Sequence, residues 1–261
     1  MVTFETKVWE KDWEYILKGN YLENMISNCN FKFSRKHVIV NNVKNKQLVE
    51  KYCKQKIAEG IIDNYFVVDN YKSEVLDYFE LSADSFDGGY YYSIAELTGI
   101  YKCETDYLMH FSGDSFPVNN NRNWIKEAIE IMNNNSNIIV ANPTWNYKFK
   151  EAEEESIEQI EGFYSSYGFS DQAYLIKKQD FIKNIYNEKN KESERYPKYG
   201  GELFEKRVDS FMRNHQKLRI TNKYCTYIST NFPRNWFSRK ILRNNITRKR
   251  INQMIEQIKK G

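Results

Sequence analysis

Apolar residues in the first half of the chain fall into two alternating patterns. Short runs suited to strands are each followed by a stretch whose apolar positions lie three or four apart, the mark of an amphipathic helix. VTFET (2–6) predicts an opening strand, and KDWEYILKGNYLENMI (11–26) a helix carrying Trp13, Ile16, Leu17, Leu22 and Ile26. HVIVNNV (37–43) predicts a second strand ending in two asparagines, and NKQLVEKYCKQKIAEG (45–60) a helix stopped by Gly60. IIDNYFVVDN (61–70) predicts a third strand. After a turn-rich break at 84–89, the helix SIAELTGIYKC (93–103) leads into the strand TDYLMHF (105–111). WIKEAIEIM (124–132) and SNIIVANPTW (136–145), halted by Pro143, complete a fifth repeat. This rhythm predicts an α/β fold, a mostly parallel central sheet flanked by helices.

Beyond Trp145 the order is mixed. KFKEAEEESIEQIEGFYSSYG (148–168) is acidic and then aromatic, and FSDQAYLIKK (169–178) reads as a strand. NEKNKESERYPKYGG (187–201) reads as a charged connection, long enough to close over a ligand. ELFEKRVDSFMRNH (202–215) reads as a helix and KLRITNKYCTYIST (217–230) as a late strand. Such a change suggests a nucleotide-binding half followed by a region that shapes a second pocket.

Charge divides the chain. Residues 232–261 hold nine Lys and Arg against one Glu, a surplus of eight that exceeds the net +4 of the whole chain, so residues 1–231 carry −4. The basic character belongs to a tail with Phe237, Ile241, Ile251, Ile255 and Ile258 at largely helical spacings. Such a helix either docks on its own domain or lies on an anionic membrane surface. The expected division is therefore a domain over 1–231 and a basic helical tail over 232–261. Nucleic acid is not the partner this distribution implies for the main domain. Four scattered cysteines without a C-x-x-C pair indicate neither a zinc site nor a disulfide framework, and charged residues through 1–20 exclude a signal peptide. The expectation is a soluble, cytoplasmic protein.

Candidate chemistry centres on YLMHFSGDSF (107–116), where an apolar strand ends in a small turn with one carboxylate. Open α/β sheets bind ligands at the carboxyl ends of their strands. Asp114 there is a hard oxygen donor suited to Mg²⁺ or Mn²⁺, whose shell water and phosphate oxygens complete. Gly113 before it allows close backbone approach. A turn-capping role for Asp114 is the alternative. His110 shares a strand face with Asp114 but lies ~13 Å away on an extended strand, which suits a core histidine.

The segment GGYYYSIAELTGIYKCETDYLMHFSGDS (88–115) resembles nucleotide-sugar glycosyltransferases of the GT-A fold, similar to family 2, in which a helix and then a strand end in D-x-D. The resemblance covers the order of elements over the first ~145 residues. It implies a divalent ion held on the diphosphate of a UDP-sugar or similar donor, with the last acid of the motif at Asp114. The first acid falls on Ser112, a departure, since a hydroxyl cannot supply a carboxylate's charge; either Ser112 contacts ribose or a metal-bound water, or metal dependence is weaker than is usual in the family. The resemblance also implies base and ribose contacts at Phe4, Glu5 and Thr6, at the end of the first strand, and at Asn41 and Asn42. Ser93 and Glu96 fall near nucleotide or donor.

Inverting transfer also needs a base for the acceptor hydroxyl. Asp171 and Glu205 are the candidates, Glu205 as base and Asp171 orienting the acceptor; complementing the helix dipole is the plain alternative for Glu205. Trp145, following the strand that holds Pro143, is a flat surface for an acceptor sugar. The partners implied are a nucleotide sugar and a glycan or lipid-linked glycan acceptor. Two other readings stand: a nucleotidyltransferase, against which VTFETKVWEK offers no glycine-rich phosphate loop, and a non-catalytic or nucleic-acid-binding module.

Overall fold

The computed structural model describes residues 1–118, 121–197, 200–230, 232, 253 and 255–257. Strand β1 (Val2–Val8) is followed by α1 (Trp13–Leu17) and α2 (Tyr21–Asn28), β2 (Arg35–Val40) by α3 (Lys46–Ala58), and β3 (Asn64–Val67) by α4 (Lys72–Tyr78) and α5 (Tyr90–Lys102). Next come β4 (Tyr107–Phe111), β5 (Ser115–Pro117) and α6 (Trp124–Asn134), then β6 (Ile138–Trp145), α7 (Phe149–Glu154), β7 (Glu158–Ile160) and β8 (Phe163–Ser166). The chain continues through β9 (Ala173–Lys177), α8 (Lys178–Phe181), α9 (Phe204–Asn214) and β10 (Leu218–Ser229).

The sheet runs β3-β2-β1-β4-β9-β6-β10-β8-β7, with β5 paired to β10. β3, β2, β1 and β4 are parallel neighbours, as are β6 and β10, while β9 is antiparallel to both β4 and β6. The central sheet is thus mostly parallel and flanked by helices. The chain builds outward from β1 to β3 and returns to the other side of β1 as β4. Between β1 and β4 it therefore has a topological switch point, where the carboxyl ends of the strands leave a crevice.

Two apolar layers enclose the sheet. One gathers Phe4, Ile16, Leu22, Val49, Met109 and Ile125 under α1 to α3 and α6; the other gathers Ile39, Leu97, Leu108, Phe181, Phe204 and Val208 under α5 and α9. The segment expected as one helix over 11–26 is two, broken at Gly19-Asn20. Pro143 does not halt β6: it faces Asn222 beside an irregularity in β10, where a missing donor is tolerated. The described residues of the connection 187–201 are packed rather than free: Ser193 Oγ donates to Asp209 (2.7 Å) and Tyr196 OH to the Phe169 carbonyl (2.7 Å). Its glycine pair is structural. Gly201 has φ +68°, and a Cβ there would stand 2.0 Å from the Asp87 carbonyl oxygen.

Most of 232–261 lies outside the described residues. Of the rest, Phe232 stacks on Tyr15 (4.5 Å between ring centroids) and Ile255 packs on the core. All four cysteines are buried and free, and no helix among the described residues is long and apolar enough to cross a membrane.

Candidate functional site

β1 carries its charges on one face. Glu5 and Lys7 are two apart and both point toward α5, which answers with Gly99 and Glu96. An ammonium and a carboxylate enter a sheet interior together because each offsets the other's desolvation. The Lys7 ammonium contacts the fully buried Glu96 carboxylate and lies 3.5 Å from Asp171. Burial alone would pull Lys7 down; Glu96 and Asp171 outweigh it and hold the ammonium above its ordinary range.

Asp171, just before β9, is held at two points. Its side chain pairs with Lys7, and its carbonyl accepts from Ser112 Oγ (3.0 Å). Glu205 lies in the first turn of α9. Burial first, and then the charge of Asp171, push its carboxyl up to about 8. The start of α9 is fixed by Ser93 of α5, whose Oγ accepts from Phe204 N–H (2.9 Å) and donates to the Gly89 carbonyl (2.9 Å).

Asp114 follows β4 at the switch point, half-buried, with its carboxyl raised by burial against the pull of Lys7. Asp12, in the loop after β1, is buried and raised further, by burial and then by Asp114, although Trp9 N–H donates to it (2.7 Å). Thr230 N–H donates to the Asp114 carbonyl (2.7 Å), tying the end of β10 to this turn. Five charged side chains from five separated segments, Lys7, Glu96, Asp114, Asp171 and Glu205, thus meet at one crevice.

Several expected contacts are placed otherwise. β1 extends to Val8, so Phe4, Glu5 and Thr6 lie inside it rather than at its end. Phe4 packs in the core, Glu5 Oε1 meets His110 Nδ1 (3.0 Å), and Thr6 is buried. Gly113 faces protein, since a Cβ there would meet Ile16 Cδ1, Asp12 Oδ2 and the Lys7 carbonyl oxygen within 2.8 Å. Ser112 and Ser93 spend their hydroxyls on internal bonds, and Glu96 serves Lys7. Asn41 and Asn42 do close β2; the Asn41 amide donates to the Tyr91 carbonyl (2.9 Å) and Asn42 is exposed. His110 is a core residue, stacked on Tyr174. Lys7 and Asp12 were the residues missed. A Lys within an otherwise buried first strand, two positions from a Glu, was the available signal.

A cavity of about 260 Å³ opens beside Asp171, lined by its neighbours Ser170 and Gln172 and by Asn142, Trp145, Arg219 and Tyr227. Trp145 is 41% exposed. Amides, hydroxyls and a flat ring together suit a sugar.

Among the described residues no three His, Cys, Asp or Glu gather as a metal site. A divalent ion fits here through Asp114 alone, whose raised carboxyl lacks compensating charge beyond Lys7; the remaining ligands would be phosphate and water.

No known protein family matches the chain by sequence, nor does any curated protein. Among solved structures, that of GalNAc-T7 with UDP, GalNAc and Mn²⁺ is similar over 88% of this chain, with a TM-score of 0.52 and 9% identity. This chain has the GT-A fold. It spans 43% of the GalNAc-T7 chain. Glucosyl-3-phosphoglycerate synthase from Mycobacterium tuberculosis, with Mg²⁺ and UDP, is similar at a TM-score of 0.47 and 11% identity, over 89% of this chain and 72% of that one. Galactosyltransferase LgtC, with donor and acceptor sugar analogues, is similar at 0.46 and 8%, over 96% and 99%.

Proposed function

We propose that this GT-A chain is a glycosyltransferase that moves a sugar from a nucleotide diphosphate donor, UDP-linked, to a hydroxyl of a glycan or lipid-linked glycan, with inversion. One observation carries the reading: Asp114, Lys7, Asp171 and Glu205 converge at the switch point between β1 and β4. The solved structure of GalNAc-T7, similar to this chain at a TM-score of 0.52, was obtained with UDP, GalNAc and Mn²⁺, which supports the donor class and the metal.

In this reading the base and ribose lie along the carboxyl ends of β1 and β2, toward Asn41 and Asn42, and the diphosphate lies at Asp114. Mn²⁺ or Mg²⁺ bound there would offset the charge that develops on the departing diphosphate. The acceptor enters the cavity beside Trp145, and Asp171 orients its hydroxyl. Glu205 removes the hydroxyl proton, and its raised affinity for protons makes it a stronger base than an ordinary carboxylate.

A thermal-shift panel of nucleotide sugars, with and without Mn²⁺, tests this. UDP species should raise the melting temperature only with metal, and Asp114→Ala should abolish the rise. A flat panel for the wild-type protein would return the chain to the non-catalytic reading.

A further inference from the structure

The amino ends of β1 and β4, at the edge of the sheet opposite the crevice, open on a second cavity of about 910 Å³, larger than the one beside Trp145. Strand register builds its floor. Val2 pairs with Tyr107 and Tyr107 with Lys177, so three side chains leave the same face of the sheet in one row. α6 lines the cavity with Lys126, Ile129, Glu130 and Asn133, which recur three or four apart and so share one helix face. Phe31, Lys32, Lys178 and Ile182 complete the wall. The length of β1 separates this cavity from the crevice by about 20 Å.

Three acids reach this cavity, and each already faces a cation. Asp106 holds the Met1 ammonium (2.6 Å), Glu104 lies 3.9 Å from Arg35, and Glu130 lies 3.9 Å from Lys126. Lys32, Lys177 and Lys178 have neither an acid nor a side-chain hydrogen bond among the described residues. Two of the neutral polar groups are engaged internally: Thr105 Oγ1 donates to the Tyr107 carbonyl (2.8 Å), and Asn133 Oδ1 accepts from Tyr107 OH (2.7 Å). What is left for a ligand is mainly cationic and apolar, three ammonium groups beside Val2, Phe31, Ile129 and Ile182. We propose that this cavity binds an amphiphilic anion, a carboxylate or phosphate carried on an aliphatic body, at a site separate from the donor crevice. The anion offsets the unpaired lysines, and the aliphatic body covers the apolar wall. A sugar or free nucleotide would set its hydroxyls against that wall without partners. The proposal is independent of the glycosyltransferase reading.

The test is isothermal titration of the full-length protein with monomeric decanoate, decyl phosphate, decanol and inorganic phosphate. The two amphiphilic anions should bind at one saturable site, more weakly as salt is added, and UDP should not displace them. Decanol and inorganic phosphate should bind at least about tenfold more weakly. The double variant Lys177→Gln/Lys178→Gln should weaken both anions about tenfold. Lys32→Glu, at an exposed position where folding is not at stake, should weaken them as well. Whatever thermal shift UDP and Mn²⁺ give the wild type should be unchanged in these variants. Decanol binding as tightly as decanoate would remove the role of the lysines. Inorganic phosphate binding as tightly as decyl phosphate would remove that of the apolar wall, and an unmoved affinity in both variants would remove the site; each result overturns the proposal. So does binding to phosphatidylglycerol vesicles with none to the monomeric anions, which would place these lysines on a membrane surface instead.

Discussion

Glu205 carries the largest chemical consequence of any single side chain. Its carboxyl is raised from 4.5 to about 8 by burial and by Asp171, so its contribution to stability is complete below pH 4.5 and disappears as pH rises through 8. Glu205→Gln removes that dependence while keeping the size and shape of the side chain. In denaturant melts the variant should therefore gain on the wild type as pH climbs from 5 to 8; parallel curves would show that Glu205 is not held neutral. The sequence singles out this residue and Asp171 as acids near the start of an element. Lys7 was invisible for a physical reason. A charged residue reads as the end of a buried strand, and only the partner on α5, 89 positions away, lets β1 continue past it. The seryl hydroxyls misled in the opposite direction. Polar residues near a site look like ligand contacts, yet Ser93 and Ser112 are used up holding Phe204 and Asp171 in place.

Elements were legible where one face is apolar and the ends are punctuated. α3 starts at Asn45, whose side chain accepts from Leu48 N–H (3.0 Å), and stops at Gly60 with φ +72°. α9 was found by its periodicity, but its attachment was not. Leu203, at its cap position, offers no side-chain oxygen, and Ser93 from α5 supplies it instead. Ser93→Ala should therefore destabilise the protein by about 1 kcal/mol, as loss of a cap does, and lower the melting temperature without touching donor affinity. Selective loss of UDP binding at unchanged stability would instead put Ser93 at the ligand. Gly201→Ala tests the same junction more severely. The left-handed backbone and the Asp87 carbonyl both refuse a Cβ, and a cost above about 1 kcal/mol is expected.

At the scale of the whole molecule, the parallel half of the sheet followed from the alternation of patterns, because each crossover helix forces the next strand to run the same way. The insertion of antiparallel β9 between β4 and β6 did not. Strand neighbours across long connections depend on which edge is left open, and no local pattern records that. This insertion sets Asp171 beside β4, and hence beside Asp114 and Lys7. The account stands on that convergence serving a diphosphate. The most direct measurement is a crystal structure with UDP and Mn²⁺. The diphosphate and metal are predicted at the carboxyl edge between β1 and β4, with the Asp114 carboxylate on the metal and Glu205 facing the cavity beside Trp145. UDP bound elsewhere, or Asp114 turned away with no metal at its oxygens, would contradict the account.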